Sequence, residues 1–184
     1  MSRDIRSWIV TAIVLVTVAS ACSANRHSAE TSSTSATTVT TPQSGRVPLY
    51  EQRESANPEG LNGTPINATL VDAHYPTSTG MWIGCEGVAA ATTYRLDRKF
   101  TRLTATVGLQ PHAPGGLAAE VTISGDGQVL SQFIVRKTAT TAIDLKVDRT
   151  DSLVVAALLQ EGRCAPSDAP YGALGDAFLM TTLD

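Results

Sequence analysis

Aromatic residues are scarce in this chain: Trp, Tyr and Phe make up 5% of its 184 residues, as 2 Trp, 4 Tyr and 3 Phe. Nucleic-acid surfaces combine aromatics with a basic stripe, and no such stripe exists in a chain whose formal net charge is -3. Nucleic acid is therefore not expected as a partner. Cysteine is equally sparse, at three, and no pair is spaced Cys-x-x-Cys. That removes support for zinc-ribbon and thioredoxin-like chemistry. Also absent are a His-Glu-x-x-His helix and a Gly-x-Ser-x-Gly elbow. The three histidines, His27, His74 and His112, are scattered. A carboxylate pair such as Asp72 with Asp176 carries little weight among 17 acidic residues. The expectation is a non-catalytic protein with no cofactor and no metal.

Long hydrophobic runs are missing too. The apolar stretch from Trp8 to Ala21 follows Arg3 and Arg6, and it is shorter than the roughly 20 residues a spanning helix needs. A charged start, a short apolar middle and small residues at the end read as an export signal over residues 1–21. Its close, Val18-Ala19-Ser20-Ala21-Cys22, resembles a bacterial lipobox, with Ala19 where that pattern prefers Leu. The resemblance implies cleavage before Cys22 and lipidation of Cys22, which would hold the chain on the extracytoplasmic face of the cell membrane. Two cysteines then remain, Cys85 and Cys164. In an exported chain such a pair is a disulfide candidate, the alternative being two free buried thiols.

Residues 22–45 are mostly Ser, Thr and Ala, too poor in large apolar groups to offset the entropy of ordering. They are expected to form a flexible tether. Residues 46–65, with Pro48, Pro58 and Gly60, show no period and read as a lead-in. From residue 66 to 184, runs rich in Val, Ile, Leu and Thr alternate with turn residues, the pattern of an all-β domain. The predicted strands are Asn67–Asp72, Thr92–Leu96, Arg102–Leu109, Ala118–Ser124, Gln128–Val135, Thr141–Val147, Ser152–Leu159 and Asp176–Thr182. About eight strands without helical periodicity imply a β-sandwich or jelly roll.

Period-two alternation places Leu103, Ala105, Val107, Val121, Ile123, Ile143, Leu145, Val147, Leu153 and Val155 in the core, with Asp144 and Lys146 facing water. Ser124-Gly125-Asp126-Gly127 is the clearest hairpin turn. The stretch Tyr94 to Gly108, two alternating runs about the charged corner Asp97-Arg98-Lys99, reads as a central pair of strands.

The order of features from Ile83 onward resembles the NPCBM family, the novel putative carbohydrate-binding modules found beside glycoside hydrolases. The matching segments are Ile83-Gly84, Tyr94-Arg95-Leu96-Asp97, Phe100 through Val107-Gly108, Val121 through Gly127, and Ser152-Leu153-Val154-Val155. Cys85 stands near a position where the family often has His. Leu174-Gly175-Asp176-Ala177 stands where it often has Trp-Ala-Asp. The resemblance implies a sandwich that binds sugar without catalysis, here a glycan of the cell envelope.

Sugar binding generally needs an aromatic face and polar groups that orient hydroxyls. Tyr75, Trp82 and Tyr171 are the aromatics in Gly- and Pro-rich settings, and Asp176, with Asp72, His74 and Asp168, is a polar candidate. Each also has a structural reading: a tryptophan between Met81 and Ile83 can plug the core, and the acids can be turn residues. A rival reading, from a different class, is an envelope protein-interaction module that has lost sugar binding. It predicts a flat apolar or strand-edge surface. A hydrolase with an unrecognised site is the remaining alternative.

Overall fold

The computed structural model describes residues 45–57 and 60–181. The stretch read as an export signal, Cys22, and the predicted tether up to residue 44 lie outside the described residues. The domain is all-β, with strands β1 (Arg46–Pro48), β2 (Arg53–Asn57), β3 (Pro65–Leu70), β4 (Ala73–Met81), β5 (Ala90–Arg95), β6 (Arg102–Leu109), β7 (Ala118–Gly125), β8 (Gln128–Arg136), β9 (Thr141–Lys146), β10 (Ser152–Glu161) and β11 (Gly172–Met180), plus a 3₁₀ turn at Leu49–Gln52. One antiparallel sheet runs β3-β4-β11-β6-β9, with β1 beside the far half of β11, and the other runs β2-β5-β10-β7-β8.

The core lies between the two sheets, where alternation puts it. Leu103, Val107, Val121, Ile123 and Leu153 are fully buried, and Leu145 is half-buried against them. Asp144 and Lys146 are exposed. The β7–β8 hairpin turns through Asp126 and Gly127, with φ of 47° and 81°, the pair of positive values that a two-residue hairpin needs.

The strands on either side of Asp97-Arg98-Lys99 do not pair. β5 lies in the second sheet beside β10 and β2, and β6 lies in the first between β11 and β9. The corner is a crossover. Its backbone N–H groups at Leu96 and Asp97 donate to Asp151 O, and Arg98 N–H donates to Thr150 O. Asp97 and Arg98 turn the chain with φ of 50° and 60°. Leu96 and Phe100 point inward as the chain passes from one sheet to the other. Alternation is blind to this because both sheets bury the same kind of face.

The segment read as a lead-in supplies two strands, β1 and β2, which complete the two sheets. β4 was not predicted as a strand, and the last strand begins at Gly172 rather than Asp176. β4 is bent. Its half from Ser78 to Met81 pairs with β11, and a register shift with Ser78 Oγ donating to Tyr75 O (2.8 Å) redirects the rest. The β3–β4 hairpin then folds across the outer face of the first sheet, burying Ala68, Leu70 and Ala173 in a small second core with Ile66 and Tyr75. Small residues below make room: a Cβ on Gly175 would sit 2.6 Å from Tyr75 Cγ.

Connectivity gives the sandwich two unlike ends. Connections 82–89, 110–117, 137–140, 162–171 and residues 60–64 gather at one, the loop end. Connections 49–52, 96–101, 126–127 and 147–151 gather at the other, the turn end. Gly45 is at the turn end, where its carbonyl accepts Thr181 N–H.

Candidate functional site

The loop end is assembled from segments far apart in sequence. Cys85 and Cys164 are disulfide-bonded with their Cα atoms 6.1 Å apart, which ties connection 82–89 to connection 162–171. Gly84 fixes the base of the first loop: its N–H donates to Ala157 O and its carbonyl accepts Leu159 N–H, both at 2.9 Å. The loop coils so tightly there that a Cβ on Gly84 would lie 1.7 Å from Val88 O. No larger residue fits, which is the physical content of the Ile83-Gly84 motif.

Trp82 is half-buried, at the exit of β4. Its backbone N–H donates to Asn62 Oδ1 (3.0 Å), and Asn62, 2% exposed, donates in turn to Asn57 O and Ala91 O. One buried amide thus binds three segments and sets where Trp82 sits. The Trp82 indole Nε1 is buried with no partner among the described residues. Next along the chain lies a hollow of about 420 Å³ lined by Asn57, Ile83, Gly84, Glu86, Val88 and Ala90, together with the disulfide at Cys85. Val88 is 68% exposed at its rim, and Leu61 beside Asn62 is 46% exposed.

Tyr171 is buried in the core at 3% exposure. Its hydroxyl donates to Ala165 O and accepts Ala165 N–H, so it serves as an anchor for the 162–171 loop. Gln110 reinforces the same loop through Nε2 to Pro170 O (2.7 Å). Tyr75 lies half-buried over Gly175, on the outer face of the first sheet. Asp176 is exposed in a bulge of β11, with φ of 46°. The structure therefore brings the Trp82 and Tyr171 segments to one end and leaves Tyr75 and Asp176 on a different surface. Asn62 and Gln110 carry no sequence signal, because a buried amide and a surface one read alike.

A second hollow, of about 530 Å³, lies at the turn end between Arg98, Phe100, Thr101, Asp148 and Arg149. It offers no aromatic platform, since Phe100 is 4% exposed. Arg98 is committed to Asp151, whose carboxylate raises the guanidinium pKa. Among the described residues, no three His, Cys, Asp or Glu side chains cluster as metal ligands do.

The NPCBM/NEW2 domain model matches residues 31–166. The chain belongs to the NPCBM/NEW2 domain family. Strand β11 lies beyond the matched residues. Among solved structures, the chain is similar to a CBM51-2 module in complex with GlcNAc and INT domains from Clostridium perfringens ZmpB, at 12% identity and a TM-score of 0.56. That match covers 74% of this chain and 31% of the other. It is also similar to a CBM51 module from Clostridium perfringens GH95 in complex with methyl-galactose, at 14% identity and a TM-score of 0.51, covering 73% of this chain and 99% of that one. At such identities the likeness shows the fold, that of a carbohydrate-binding-module sandwich. No curated protein matches the chain.

Proposed function

We propose that this NPCBM domain binds a cell-envelope glycan at its loop end, and that Cys22 carries a lipid that holds it on the extracytoplasmic face of the membrane. The observation that carries the binding site is the stretch Trp82 to Cys85: the Trp82 backbone N–H is held by the buried Asn62 amide, and the residues that follow it line a hollow pinned by the Cys85–Cys164 bridge. A loop whose backbone is fixed before ligand arrives loses little freedom on binding. The domain's first described residue, Gly45, is at the turn end, opposite the loop end. Nothing in the reading requires catalysis.

The rival, a protein-interaction module, has one observation in its favour. β8 is an edge strand without charge from Gln128 to Val135, and it exposes Val129 (61%) and Ile134 (44%). Bare edges of this kind recruit other strands.

A glycan array probed with the wild-type domain and with Trp82→Ala separates the two. The expected result is a defined set of glycan hits that Trp82→Ala weakens about tenfold or more, with the fold retained. No hits at all, together with one stoichiometric protein recovered by pull-down, would establish the rival. For the anchor, Cys22→Ala is expected to move the protein from the membrane to the soluble fraction, and unchanged retention would refute lipidation.

A further inference from the structure

The two-residue turn of the β3–β4 hairpin is built from Val71 and Asp72, with φ of 47° and 29°. A β-branched residue in the left-handed region is a true outlier. Asn-Gly would turn the chain there without strain, and this domain uses Asp126-Gly127 for its β7–β8 turn. The strained turn is held from below, because Leu70 is fully buried and packs over Gly108, where a Cβ would lie 3.5 Å from Leu70 Cδ2. Strain maintained by surrounding packing marks places where a side chain is used.

The tip overhangs a hollow of about 280 Å³ lined by Thr69, Val71, Asp72, Leu109, Pro111 and Lys137. Its polar groups are of opposite sign and do not neutralise each other: no ion pair involves Asp72 or Lys137 among the described residues. Lys137 Nζ gives one hydrogen bond to Ala113 O (3.0 Å) and has two N–H groups left. The hollow therefore offers a carboxylate acceptor and an ammonium donor beside the exposed apolar side chains of Pro111 and Val71, with buried Leu109 closing its base. Val71, 41% exposed, forms the overhang.

We propose that this hollow is a second saccharide subsite, in which Asp72 and Lys137 take the hydroxyls of one sugar ring seated against Pro111 and Val71. A carboxylate accepts two hydroxyl donors and an ammonium donates to hydroxyl oxygens, so the chemistry selected is a ring with adjacent free hydroxyls. The inference rests on the glycan-binding reading, but it uses none of the residues around Trp82.

The test is a titration of the ¹⁵N-labelled full chain in detergent micelles, followed by amide chemical shifts. The probes are methyl galactoside, N-acetylglucosamine, glucose and mannose. The expected result is saturable shifts at residues 69–72 and 137 with at least one sugar. Asp72→Asn, which tolerates the same turn, should weaken that affinity about tenfold. Val71→Gly should also weaken it while leaving thermal stability unchanged or raised, since it relieves the strained φ. Groove shifts that survive Asp72→Asn unchanged would overturn the subsite. Shifts confined to residues 82–90 would overturn it and leave the loop-end reading standing. Shifts confined to the groove would sustain it and remove the site at Trp82. No shift with any sugar would overturn both.

Discussion

The two ends of the sandwich close the same pair of sheets by opposite means. The turn end uses short connections, left-handed residues at Asp97, Arg98, Asp126 and Arg149, and exposed ion pairs such as Arg98–Asp151 and Arg102–Asp144. The loop end uses longer connections held by a disulfide and by the buried side chains Asn62, Gln110 and Tyr171. Exposed ion pairs add little to stability, whereas a cross-link and desolvated hydrogen bonds add more. Stiffness has been placed where the chain is irregular, which a pre-shaped binding surface requires.

The largest way to break that contrast is to cut the cross-link. The bridge spans 79 residues, and the loop-closure entropy it removes from the unfolded chain is worth about 4 kcal/mol. Cys85→Ser with Cys164→Ser is expected to lower the unfolding free energy by that order, read from denaturant curves, with the turn-end amides keeping their hydrogen-exchange protection longer than those of 82–89 and 162–171. Equal loss of protection at both ends would mean that the loop end has no separate rigidity to lose.

A smaller effect tests the folded-over hairpin. Gly175→Ala places a methyl 2.6 Å from Tyr75 Cγ, and such overpacking costs about 2 kcal/mol. In a double-mutant cycle by urea denaturation, Tyr75→Ala should remove most of that penalty. Strict additivity would show that Tyr75 does not rest on Gly175.

These contacts also show where sequence reading stops. The inward set from Leu103 to Val155 was legible because burial in a strand repeats every second residue. The Asp126-Gly127 turn was legible because only certain residues tolerate its dihedrals. The family was legible from the order of short motifs, of which Gly84 now has a steric cause. Sheet membership was not legible: Tyr94 and Leu103 alternate alike but pair in different sheets. The bend of β4 depends on small residues at 108 and 175 in other strands, so nothing local to Tyr75 announces it. Trp82 was singled out by its Gly-rich setting, whereas Asn62, which positions it, sits in a segment without period. Tyr171 stood in an equally loop-like setting, and the core took it.

The smallest expected effect lies at the turn end. The Asp126 carboxylate accepts N–H groups of Ser152 (2.9 Å) and Asp151 (3.1 and 3.2 Å). Those bonds, Ser152 first, and then the nearby Arg98 charge, hold its pKa below the ordinary carboxylate value. A group whose pKa is lower folded than unfolded contributes its stability above the unfolded value, near pH 4, and loses it as pH falls through the folded one. Glu161, lowered by its hydrogen bonds to Arg136, acts with the same sign at the end of β10 in the second sheet. Urea midpoints measured from neutral pH down to about pH 2 should therefore decline through the acid range. Asp126→Asn keeps a side-chain acceptor and a residue that tolerates φ of 47°, but it has no proton to take up. Its acid limb should be shallower than that of the wild type, with little change at neutral pH. A parallel shift of the whole curve would mean that Asp126 acts through turn geometry and not through its charge, and the turn end would then owe its closure to backbone conformation alone.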